Sequence, residues 1–109
     1  LLGIQVFNDQ SSQVNNQANV QLAMDKIVKE IRSVSLNDIQ ISNGVLTINH
    51  SDVYKLENDT ITRNGSAIAY HIKQFNIIND GDKIIIKIQS VSNHSGQSIT
   101  LSTDVYIRR

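Results

Sequence analysis

The chain has 109 residues, enough for one domain with a modest core, and ten Lys plus Arg balance ten Asp plus Glu, so the formal charge is zero. That balance argues against a dedicated nucleic-acid binder, whose affinity comes mainly from neutralising phosphates, although it leaves room for a local basic patch. With no Cys there are no disulfides, thiolate nucleophiles or Cys-ligated zinc, and with no Trp and 5% aromatics a stacking platform for ring ligands is not expected.

The chain opens on Leu1 rather than Met, which reads as a processed or truncated form. No apolar run reaches the ~18 residues that a membrane span needs. Leu1 to Phe7, LLGIQVF, is apolar and short. It reads either as a flexible chain end or as the tail of a longer hydrophobic helix. Asn8 to Asn19 is almost wholly polar, with only Val14 and Ala18 apolar. Its composition suits a disordered linker. The absence of a breaker between Ile4 and Val34 instead favours a continuous helix, exposed on all sides, that gains little from propensity and frays unless something docks on it.

Val20 to Ser35 carries the strongest pattern. Val20, Met24, Ile27, Ile31 and Val34 are spaced four, three, four and three, one continuous stripe at 3.6 residues per turn. Ala23 and Val28 widen the stripe, while Asp25, Lys26, Lys29, Glu30 and Arg32 fall on the far side. Asp25 precedes Lys29 by four, the favourable order for a helix pair. Leu22 fits neither face.

After Ser35 the period changes to two. Asn43-Gly44 and Asn64-Gly65 are strong type I′ hairpin signals, Asp80-Gly81 is another, Asn58-Asp59 supports a tight turn and Ser95-Gly96 is weaker. Strands are expected at 39–41, 45–48, 53–56, 60–63, 67–78, 83–90 and 98–107. In the 67–78 stretch Ile68, Tyr70 and Ile72 share one face, and the phase slips at Lys73-Gln74, which predicts a bulge. Ile84, Ile86 and Ile88 point inward and Ile85 breaks the alternation. Ile99, Leu101, Thr103, Val105 and Ile107 form the inward face of the last strand. These features predict an α+β fold, a long N-terminal helix packed on an antiparallel β-meander sheet, one face oily and one wet. Residues 1–19 are the protruding half of the helix; residues 20–109 are the globular part, with helix 20–35 and sheet 39–107.

Signals for chemistry are weak. His50, His71 and His94 have no ligand partner at metal-binding spacing and read as exposed turn and strand residues. Asn79-Asp80-Gly81-Asp82 lacks the oxygen spacing and closing Glu of a calcium loop, and a hairpin turn explains it. No Ser occupies a G-x-S-x-G elbow, and there is no phosphate-binding glycine loop. Asp25 and Glu30, five apart, do not share a helical face. Four Asn-x-Ser/Thr triplets, at Asn49, Asn58, Asn64 and Asn93, are what chance supplies in a chain rich in these residues. Lys83, Lys87, Arg108 and Arg109 read as a solvated edge. No enzyme activity, cofactor, metal or small-molecule substrate is expected.

QLAMDKIVKEIRSV, the YKLENDTITRNG hairpin, IAYHIKQFNI and the closing ITLSTDVYIRR together resemble a minor pilin or minor pseudopilin of the type IV pilin family, over essentially the whole chain. The family's leader peptide, cleavage site, methylated Phe and early Glu have no counterpart here, so none of them is placed on a residue. The lack of Cys departs from pilins that close a C-terminal loop by a disulfide and leans toward a Gram-positive source. The resemblance implies a structural subunit of a type IV pilus, competence pilus or type II secretion-like pseudopilus. Its partners would be sister subunits, and it would be held in the membrane by a missing N-terminal segment before joining a surface filament. Leu1, Leu2, Ile4, Val6, Phe7 and Val14 would form the assembly interface, and Val20, Met24, Ile27, Val28, Ile31 and Val34 the helix core against the sheet. It predicts one helix of roughly 30 residues, about 45 Å long. The competing expectation is a soluble ligand-binding or adhesive α+β module, with a groove and a disordered segment before Val20.

Overall fold

The computed structural model describes the backbone of residues 2–107 and the side chains of residues 16–107. Helix α1 (Leu2–Arg32) is followed by a short 3-10 turn, Leu36–Asp38. Eight strands follow: β1 (Ile39–Ser42), β2 (Val45–Ile48), β3 (Asp52–Glu57), β4 (Thr60–Arg63), β5 (Ser66–Ala69), β6 (Ile72–Asp80), β7 (Lys83–Ser90) and β8 (Thr100–Tyr106). All neighbours pair antiparallel, β1 to β5 in one five-stranded sheet and β6 to β8 in a three-stranded one.

Local chemistry accounts for the short hairpins. Asn43-Gly44, Asn58-Asp59 and Asn64-Gly65 each take positive φ at both positions, closed by the pairs Ser42–Val45, Glu57–Thr60 and Arg63–Ser66. Two positive φ values in a two-residue loop match the twist of the strands on either side, and Asn, Asp and Gly tolerate them best. Asn49-His50 is a further left-handed pair, linking β2 to β3. Between β6 and β7 the loop is Gly81-Asp82, closed by Asp80–Lys83, one residue later than the Asp80-Gly81 signal suggested.

The α+β expectation of a long helix packed on one meander sheet is corrected. Among the residues described with side chains, 50% are in strands and 22% in helix, so the protein is mainly β, with two antiparallel sheets. The stretch 67–78 is not one strand. His71, with φ of 61°, turns the chain between β5 and β6, so β6 founds a second sheet instead of extending the first. The break is fixed on both sides: the Ile72 amide donates to the Asp59 carbonyl at 2.8 Å, and the Val91 amide donates to the His71 carbonyl at 2.9 Å. Tyr70, expected inward, is exposed as a result. The bulge expected at Lys73-Gln74 is present, since the β6–β7 register shifts between Ile72 and Gln74.

Both sheets and the helix share one core. Phe75, Ile77, Ile84, Ile86, Ile88 and Val105 bury the inner face of the three-stranded sheet; Ile39, Leu46, Ile48, Tyr54, Ile61 and Ala69 face them from the five-stranded sheet. β6 touches β1, β3 and β4, while α1 touches β5, β7 and β8. The three-stranded sheet thus covers the other sheet with one edge and the helix with the rest, and the helix closes one side of the core only.

Candidate interaction surface

α1 docks through one face. Val20, Ala23, Met24, Ile27 and Ile31 are buried, and Val28 and Val34 are half-buried against the core. One turn before Val20, Asn16 is also buried, at 6% exposure, and its Nδ2 donates to the Val91 carbonyl at 3.2 Å. Docking therefore begins inside the stretch 1–19, which the sequence presents as exposed all round. A lone Asn in a polar run carries no periodic signal, so nothing in the pattern marks it. Gln17, Ala18, Gln21, Leu22, Asp25, Lys26, Lys29 and Arg32 remain exposed. Leu1, Leu2, Ile4, Val6, Phe7 and Val14 lie outside the residues whose side chains are described.

Beside the docked face, α1 and β8 leave an open groove of about 400 Å³ lined by Gln21, Met24, Asp25, Val28, Lys29, Arg32 and Thr103. A second hollow of about 390 Å³ adjoins it at Arg32, Val34, Tyr106 and Ile107. The floor is aliphatic and the rim carries both charge signs. Gln21 Nε2 donates to Asp25 Oδ1 at 2.9 Å, which holds one wall. The outer face of the three-stranded sheet is wet: rows such as Asn76–Lys87–Ser102 run across it, with Ile78 and Ile85 as its aliphatic pair.

Charged groups form small clusters. Arg63 pairs with Asp52 at 3.1 Å, and that hydrogen bond raises the Arg63 pKa. Tyr54 lies buried between this pair and the helix. Desolvation raises its phenol above the ordinary 10.0, Glu30 and Asp52 add to the rise, and Arg63 opposes it. Lys83 pairs with Asp104 at 3.1 Å and sits 5.8 Å from the centre of the Tyr106 ring; the Asp104 hydrogen bond raises the Lys83 pKa. These exposed pairs are worth little to stability.

His50, His71 and His94 are exposed, far apart in the chain and on different loops. Among the described residues no three His, Asp or Glu side chains converge on a metal-sized site. Asn79 and Asp80 end β6, and Gly81-Asp82 is the hairpin tip. Asn93 instead shapes the β7–β8 connection: its Oδ1 accepts the amides of Ser95 at 2.9 Å and Gln97 at 3.0 Å. Among the described residues no helix is long and apolar enough to cross a membrane. Comparison of the chain with protein-family models, with curated proteins and with solved structures found no match.

Proposed function

We propose that the chain is a structural subunit of a surface filament of the type IV pilus, competence pilus or pseudopilus class, assembling through the N-terminal part of α1. The observation that carries this reading is shape. The molecule extends 56 × 25 × 21 Å, and its radius of gyration is 15.3 Å. A compact chain of this length has a value of about 13 Å. A 31-residue helix is about 46 Å long. The buried positions of α1 all lie between Asn16 and Ile31, among the side chains described. On this reading α1 is held on its own domain from Asn16 onward, and the residues before Asn16 would meet other copies, where the polar stretch Asn8 to Asn15 would gain partners.

The test is fractionation in the native host. Epitope-tagged protein is expected in the fraction sheared from the cell surface, and Val6→Asp or Val14→Asp is expected to remove it from that fraction without moving the thermal midpoint of the purified domain. Tagged protein that never enters a sheared fraction, or enters it unaffected by both substitutions, contradicts the proposal. The groove between α1 and β8 favours the second reading, a ligand-binding or adhesive module. That reading expects saturable chemical-shift changes at Gln21, Lys29 and Thr103 with a small polar ligand.

A further inference from the structure

We infer that Asn43 is a site of spontaneous covalent modification, in which its side-chain carboxamide is converted to a carboxylate through a cyclic imide with the backbone of Gly44. The chain carries two Asn-Gly turns of matching backbone. Asn43 and Asn64 both have φ of 53°, and Gly44 and Gly65 have φ of 77° and 86°. Neither glycine has a neighbouring atom that an added Cβ would meet within 4 Å. Neither glycine amide is held in a turn or loop hydrogen bond. Asn49, Asn58 and Asn93 precede His50, Asp59 and His94, which carry side chains where Gly44 and Gly65 carry none.

The two asparagine side chains differ. Asn64 Oδ1 accepts the Val53 amide at 2.8 Å, its Nδ2 donates to Asp52 Oδ1 at 3.4 Å, and its own amide donates to the Val53 carbonyl at 2.9 Å. Asp52 is in turn held by Arg63. The Asn64 carboxamide cannot swing onto the Gly65 nitrogen until these bonds break. Asn43 is exposed, and among the described residues its side chain makes no hydrogen bond. Both hairpins close on an outermost strand of the five-stranded sheet, β1 for Asn43 and β5 for Asn64, so the side-chain hydrogen bonds are what separates the two sites.

The Gly44 nitrogen loses its proton to solvent and attacks Asn43 Cγ. The bond from Cγ to Nδ2 breaks, ammonia leaves with the proton returned by water, and a five-membered imide remains. One water then opens the ring at either carbonyl, giving aspartate or isoaspartate. No electrons change hands. Each event adds one negative charge to a chain whose formal charge is zero. The isoaspartate product also lengthens the hairpin backbone by one carbon.

Peptide mapping by mass spectrometry after incubation of the folded protein at mildly alkaline pH tests this. The Asn43 peptide is expected to convert roughly tenfold faster than the Asn64 peptide, the ratio set by two side-chain hydrogen bonds that must first open. In denaturant the two rates are expected to converge. Asp52→Ala, with its fold checked by circular dichroism, is expected to raise the Asn64 rate and leave the Asn43 rate unchanged. Equal rates in the folded protein, a faster Asn64, or an Asn43 that stays intact while the denatured chain converts, each overturns the inference.

Discussion

Asn16 and Tyr54 are buried side chains that carry polar groups into the core. Asn16 Nδ2 reaches the Val91 carbonyl from a buried position. Asn16→Ala removes that hydrogen bond, while Ser90 Oγ still donates to the Val91 carbonyl at 2.9 Å, and is expected to cost about 0.5–1.5 kcal/mol, read as a lower denaturant midpoint with an unchanged slope. Tyr54 sets a pH limit. Burial, with help from Glu30 and Asp52, raises its folded pKa above 10.0, so the folded state holds the phenol proton more tightly than the unfolded chain does. Its contribution to stability is complete below pH 10 and is lost as pH rises through the folded value. Thermal midpoints are therefore expected to fall above pH 10, and Tyr54→Phe to flatten that fall; an unchanged slope in the variant would refute the assignment. Neither residue is marked by the sequence. Asn16 lies in a run of polar residues, and a Tyr on a strand has no feature that distinguishes a charged neighbourhood supplied by a distant helix.

The elements divide according to how local their determinants are. The stripe Val20, Met24, Ile27 and Ile31 is drawn by spacing alone, and all four side chains are buried. Ile27, fully buried, is the centre of that contact, and Ile27→Ala is expected to cost about 2–5 kcal/mol by chemical denaturation. A loss under about 1 kcal/mol would mean that the helix is not held where it lies. Hairpin turns were equally legible at Asn43-Gly44, Asn58-Asp59 and Asn64-Gly65, because positive φ is a property of the residue. The junction at Tyr70-His71 was not. It has no Gly or Pro, and its left-handed His71 is held by the Val91 amide donating to the His71 carbonyl and by the neighbouring Ile72 amide donating to the Asp59 carbonyl, bonds that span 20 and 13 positions in the chain. A break imposed from that distance leaves no local trace, so β5 and β6 read as one strand.

For the whole molecule that one hidden break changes the class. With 67–78 continuous, a single meander under a helix follows; with the chain turned at His71, a second sheet forms that meets the first through β6, and the protein becomes mainly β. The groove between α1 and β8 was likewise beyond reach, since it joins Arg32 to residues more than 70 positions later. The proposed role depends on the front half of α1 meeting other copies, and the absence of cysteine makes that directly measurable. Val14→Cys, expressed in the native host and treated with a short thiol cross-linker on intact cells, reports the neighbours of this position. The proposal predicts covalent adducts between subunits in the sheared surface fraction; a protein that reaches the surface and stays wholly monomeric under the same treatment would contradict it.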